Sequence, residues 1–294
     1  MAHILSNGIL TVEIAEPGTY KGTRFDWTGF ITQVTLEEGK HSFCVPESLM
    51  PGQGSGGIGL CNEFAISRAI GYDEAAAGEW FPKPGIGLLQ KLDDAPYDYF
   101  RTYPLIPFKI TVEKSGQAVT YTVHPEECRG YSMLLTKRIS LDGDRINIAY
   151  TLENRGGKPL HIEEYVHNFI GIDNALTGEG YELILPGEAR VEAPESSFTA
   201  DLLHTSGDRM SWRGEPDRPF YCKLAGWEKA DAKFYWELIH KPSGAGIRES
   251  GDFPAERMAL WGERHVISPE VFADITILPR HSKGWSRSYQ FFAF

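Results

Sequence analysis

Runs of β-branched and aromatic residues, each about a strand long and ended by glycine, proline, asparagine or aspartate, recur along this 294-residue chain. The i, i+3, i+4 spacing of an amphipathic helix is nearly absent. This pattern predicts strands within 8–16, 29–39, 108–124, 131–154, 232–241 and 271–279. In "SLDGDR" an Asp-Gly pair suits a tight hairpin between "MLLTKRI" and "INIAYTL". Residues 61–78 have the Glu, Ala and Ile content for a turn or two of helix, or for a loop. The Gly/Pro-rich stretches 50–60 and 80–88 read as irregular loops between strands. "GQGSGG" lacks the strand before and helix after that a phosphate loop needs, so it reads as plain loop. Without an internal repeat or a linker, the expectation is one all-β domain over 1–294, a large antiparallel sandwich with loops draped over one face.

Composition narrows the partners. A formal charge of -11 with no Lys/Arg cluster repels phosphate backbones and anionic bilayers, so neither nucleic acid nor membrane is expected. The amino terminus lacks a basic stretch followed by an apolar one, and no apolar run reaches membrane-spanning length, which predicts a cytoplasmic protein. Cys44, Cys61, Cys128 and Cys222 are far apart and read as free thiols. No histidine pair has metal-ligand spacing, so neither a metal nor another cofactor is indicated.

The stretch "HIEEYVHNFI" places a histidine among strand formers. On a strand, His161, Glu163, Tyr165, His167 and Phe169 share one face, and Ile162, Glu164, Val166, Asn168 and Ile170 the other. The second face is the more apolar and suits the interior, so His167 looks out of the other side or sits there hydrogen-bonded to a neighbour. In "HVISPEVFADITILP" the same alternation groups Ser268, Glu270, Phe272 and Asp274 opposite Ile267, Val271, Ala273, Ile275 and Ile277. Pro269 is expected to bulge or break that strand just before Glu270.

Two segments carry a resemblance. "LENRGGKPLHIEEYVHNF" is similar to an N-x-G-x-x-P turn followed one strand later by a histidine in an H-x-Y-F-N-like setting. "ISPEVFADITILPRHSKGWSRSYQF" is similar to a closing segment in which a glutamate precedes a strand, a proline turn and a terminal Y-x-F. Together they resemble the galactose mutarotase-like superfamily, which includes aldose 1-epimerases and hexose-phosphate epimerases. The likeness covers the second half of the chain. Asn168-Phe169-Ile170 stands in place of Tyr-Phe-Asn, no Gly-Glu follows the turn proline, and the first-half G-R-x-A-N-R segment is missing. The resemblance implies a β-supersandwich of large antiparallel sheets and a sugar anomerase without cofactor, with His167 as general acid and Glu270 as general base.

Such chemistry asks for an ionised glutamate and a protonated histidine on opposite sides of a sugar, with Glu163 or Asp274 supporting the imidazolium. A monosaccharide or sugar derivative is the expected partner, and a homodimer is allowed. Sugars pack their C–H faces on aromatic rings, which makes Trp236 and Trp261 candidates for contact, with His240 and Arg264 close to them in sequence. Trp285 reads as structural. From the first half, Arg24 or Asp26, Asn62 or Glu63, and Lys83 held between two prolines are the further candidates, Glu63 and Lys83 for their unusually apolar surroundings. Two other readings compete: a carbohydrate-binding or regulatory protein without turnover, and a sugar lyase or hydrolase, which would need a second carboxylate or a tyrosine at the scissile bond.

Overall fold

The computed structural model describes residues 2–37, 39–228 and 234–294. Two ten-stranded sheets dominate, and every strand pair in them is antiparallel. The first runs Ala2–Ser6, Leu10–Ala15, Phe30–Leu36, Leu60–Phe64, Leu160–Asn168, Val266–Ile277, Arg257–Glu263, Phe220–Ala225 and Arg190–Glu192, with His41–Ser42 beside Phe30–Leu36. The second runs from Leu203–Ser206 through Tyr181–Ile184, Trp236–His240, Ser282–Ala293 and Arg145–Asn154 to Lys109–Ser115. Among the described residues the only helices are the single α-turn region Ser197–Leu202 and the 3-10 turn Ile172–Asn174. None of these is long enough to cross a membrane.

The expected strands fall where the alternation put them. Of 29–39 and 232–241, residues 38, 232 and 233 lie outside the described residues. Met133–Asp142 and Arg145–Asn154 form the expected hairpin, with Asp142 paired to Arg145, so the two-residue loop is Gly143-Asp144 rather than Asp-Gly. Gly143 takes φ +56°, which a first loop position of this kind requires. Of the two readings of 61–78 the loop holds beyond Phe64 and the helix does not: residues 60–64 are strand, and positive φ at Ala65 and Gly71 breaks any helical continuation. One expectation fails. The 80–88 stretch is no irregular loop, since Trp80–Lys83 and Gly87–Gln90 make a hairpin that Leu105–Pro107 extends to a three-stranded sheet.

The core lies between the large sheets. Ile162 and Val166 from one strand with Ile170 just beyond its end, and Ile267, Val271, Ala273, Ile275 and Ile277 from its neighbour, point into it against Tyr150, Trp285 and Phe291 of the second sheet. Trp285 stacks on Tyr150 at 4.9 Å, a structural role as read from the sequence. Asn154 closes the N-x-G-x-x-P turn: its side chain donates to the carbonyls of Lys158 and Ile277 and accepts from the Gly156 amide. That fixes the entry into the strand carrying His167. The four cysteines are free, and all but the half-buried Cys128 are buried.

Candidate active site

Leu160–Asn168 and Val266–Ile277 pair antiparallel from Leu160 opposite Ile277 to Tyr165 opposite Phe272, and the same register reappears at Ile170 opposite Ile267. It sets His167 opposite Glu270. Ile170 and Ile267 exchange both backbone hydrogen bonds, so two residues back Asn168 and Pro269 should do the same, and His167 and Glu270 fall at the intervening, non-hydrogen-bonded position. There side chains approach most closely.

Pro269 has no N–H for this exchange, yet the strand neither breaks nor bulges, contrary to the sequence expectation; it runs unbroken for twelve residues. The sequence supplies a replacement. Asn168 donates its side-chain amide to the Pro269 carbonyl at 2.6 Å and its backbone N–H to Ser268 Oγ at 3.0 Å. The rung that proline removes is thus rebuilt from side chains beside His167 and Glu270.

His167 Nε2 lies 3.3 Å from Glu270 Oε1. Ser268 Oγ sits 2.8 Å from His167 Nδ1 and 3.4 Å from Glu270 Oε1. The imidazole stacks on Phe169 at 4.1 Å and meets the edge of Trp261 at 5.1 Å. Imidazole and carboxyl therefore stand side by side rather than on opposite sides of a ligand. Burial pushes the imidazole pKa well below its usual value, with the Arg24 charge adding to the effect. Burial also pushes the Glu270 carboxyl up to about 8, while Arg24 and Arg257 pull it back. Low dielectric favours the uncharged form of each, so the pair rests neutral, the reverse of the ionised arrangement that the chemistry asks for.

The pair lies at a cavity of about 300 Å³ on the face of the first sheet that points away from the core. Arg24, Tyr165, Tyr221 and Trp261 line it, Tyr99 and Phe100 stand over Arg24, and Glu47 and Glu263 bring further carboxylates. Arg24, which the sequence offered only as a candidate, is central. Its Nε donates to Glu63 Oε2 at 2.9 Å, Nη1 to Ser55 at 2.9 Å and Nη2 to the Tyr165 hydroxyl at 3.1 Å, and that hydroxyl donates to Glu63 at 2.7 Å. Phe25 and Tyr99 contact the guanidinium at 4.7 and 4.6 Å.

Glu63 and Lys83 are near the site but do not line the cavity. Both are fully buried behind Arg24, with Lys83 Nζ 3.8 Å from Glu63 Oε1 and 3.0 Å from the Tyr97 hydroxyl. Burial lowers the Lys83 pKa to about 8 against the pull of Glu63. Their apolar surroundings marked an interior ion pair rather than a ligand-facing ammonium.

Trp236 and His240 are corrections. Trp236 points into the inter-sheet core and donates to Glu249 at 2.7 Å. His240, also on the second sheet, packs on Tyr181 and bonds Ser243. Aromatics on the core-facing side of a strand look the same in sequence as those facing a cavity. Glu163 pairs with Arg257 and Asp274 is exposed, so Ser268 replaces them as the neighbour of His167. Asn62 bonds Glu164 on the core side, Asp26 bonds Thr28 and Lys137, and Arg264 pairs with exposed Glu215. Ser268 and Tyr165 were findable by strand alternation. Tyr99 and Phe100 arrive on a long loop that carries no such signal. Among the described residues no three His, Cys, Asp or Glu side chains converge as metal ligands do.

Two ten-stranded antiparallel sheets, with this pair on the outer face of one, define a galactose mutarotase-like fold. The chain superposes on the galactose mutarotase related enzyme from Lactobacillus acidophilus with a TM-score of 0.62 at 11% identity, over 100% of this chain and 98% of that one. It superposes on a galactose mutarotase-like protein from Lactobacillus casei at 0.60 and 13% identity, over 99% and 100%. The GalM/aldose epimerase homologue from C. elegans gives 0.57 at 12% identity, over 100% and 99%. No family model and no curated protein matches the sequence. At these identities the likeness is one of fold.

Proposed function

We propose that the chain is a carbohydrate mutarotase of the aldose 1-epimerase type, interconverting sugar anomers by acid–base catalysis at His167 and Glu270. The observation that carries this reading is the 3.3 Å approach of His167 Nε2 to Glu270 Oε1 beside an aromatic-walled cavity. The anomeric hydroxyl and the ring oxygen of an aldose are geminal on one carbon, so an acid and a base standing side by side can reach both. The Glu270 carboxylate takes the hydroxyl proton while His167 Nε2–H protonates the ring oxygen, and the C–O ring bond breaks to give the open-chain aldehyde. Rotation about the adjacent C–C bond and closure with the proton transfers reversed deliver the other anomer. One transfer from Glu270 to His167 converts the resting neutral pair into the working one with no net change of charge. The solved structures named above, described as mutarotase-related or epimerase homologues, support the same class.

A binding or regulatory protein without turnover is the second reading, favoured by the neutral resting state of both groups. Saturation-exchange NMR on a panel of free and phosphorylated aldoses decides between them, comparing wild type with His167→Ala. Loss of roughly 10²-fold or more of the acceleration is expected on removing a positioned acid. An unaltered rate in the variant defeats the mechanism, and binding without any wild-type acceleration selects the second reading.

A further inference from the structure

Ser268 is fully buried, and its hydroxyl touches both members of the pair. A hydroxyl has one proton to donate and two lone pairs to accept with. The Asn168 backbone N–H already donates to it at 3.0 Å. Three contacts around the pair must therefore share the remaining capacity: Oγ to His167 Nδ1 at 2.8 Å, Oγ to Glu270 Oε1 at 3.4 Å, and His167 Nε2 to Glu270 Oε1 at 3.3 Å.

Were the imidazole proton on Nε2, the hydroxyl would have to donate to Nδ1, and its contact with Glu270 could be made only by a carboxyl proton aimed at Oγ, leaving none that could pass directly to the already protonated Nε2. With the proton on Nδ1, all the contacts are satisfied: Nδ1–H donates to Oγ, Oγ–H donates to Oε1, and Nε2 shares a proton with the glutamate. This one pattern fits both protonation states. When the proton passes from Oε1 to Nε2, one O–H bond breaks and one N–H bond forms, and no other hydrogen has to move.

We infer that Ser268 is a positioning residue that holds His167 in the Nδ1–H tautomer, keeping Nε2 as the nitrogen that exchanges a proton with Glu270 and with the ligand. The part concerning the ligand rests on the acid–base reading above; the tautomer does not. Ser268 does not line the cavity, so its role runs through the imidazole.

The test uses the full chain labelled with ¹⁵N at histidine. In the wild type, under conditions where the ring is neutral, the His167 spectrum should report a protonated Nδ1 and a bare Nε2. Ser268→Ala should move the proton to Nε2 or mix the two forms. Where a sugar is turned over, Ser268→Ala should lower kcat roughly 10- to 100-fold, the range found for losing the partner that orients a metal-bound histidine. KM should change little. Ser268→Thr, which keeps the hydroxyl, should restore the tautomer and most of the rate. An Nε2–H tautomer in the wild type, or a tautomer unchanged in Ser268→Ala, overturns the inference. If no sugar is accelerated by the wild type, the acid–base reading fails, and the spectra alone still decide the role of Ser268.

Discussion

Replacing Glu270 by Gln turns the burial of this carboxyl into a stability measurement. Its ordinary pKa is 4.5 and burial raises it to about 8. Between those values the folded chain keeps a proton that the unfolded chain releases, so rising pH favours unfolding across this window. At about 1.36 kcal/mol per unit, the wild type should lose about 3 kcal/mol from this group between pH 4.5 and pH 7, and about 4 kcal/mol by pH 8. Glutamine is nearly isosteric with the protonated acid, titrates nowhere in this range and can still meet Ser268 and His167. Urea unfolding of both proteins from pH 4.5 to 8.5 reads the effect. Their stabilities should nearly coincide at the acid end and diverge in favour of Glu270→Gln as pH rises. A difference that stays flat, or one that grows on acidification, would refute the claim that the pair rests neutral. His167 does not mimic this signal. Its lowered pKa makes the unfolded chain bind more protons below the usual 6.5, so its contribution is lost as pH falls, and both proteins share it.

Three other substitutions probe separate parts of the molecule. Arg24→Ala should destabilise by about 3 to 5 kcal/mol in denaturant unfolding, because it strands the fully buried Glu63 with only the more distant Lys83 for charge compensation; a loss under 1 kcal/mol would show that Glu63 does not depend on it. Phe100, 62% exposed above Arg24, contributes little to folding, so Phe100→Ala should leave the unfolding midpoint unchanged while weakening sugar binding by roughly 3- to 10-fold in calorimetric titration, as expected for losing an aromatic contact. Trp236→Phe should do the converse, costing about 1 to 3 kcal/mol by removing a buried donor to Glu249 with no change in sugar affinity; altered affinity would return Trp236 to the site.

Strand alternation is a local property of the backbone, since successive side chains must leave a strand on opposite sides. For that reason the sequence alone determined the all-β class, the division of 160–170 and 266–277 into a core face and an outer face, and the placement of His167 and Glu270 on outer faces. It also placed Ser268 and Tyr165 on those faces, though nothing local marked their roles. Alternation says nothing about which strands become neighbours or about register, and both are long-range choices made by packing. Only the tertiary structure set His167 opposite Glu270 at a position where the strands hold side chains closest, and repaired the rung lost to Pro269 through Asn168. Burial depth was likewise undecided until the sheets met. It sent Trp236 and His240 to the second sheet, hid Lys83 and Glu63 behind Arg24, and reversed the expected charges of the pair, because desolvation depends on every neighbour a group acquires and not on the few beside it in the chain.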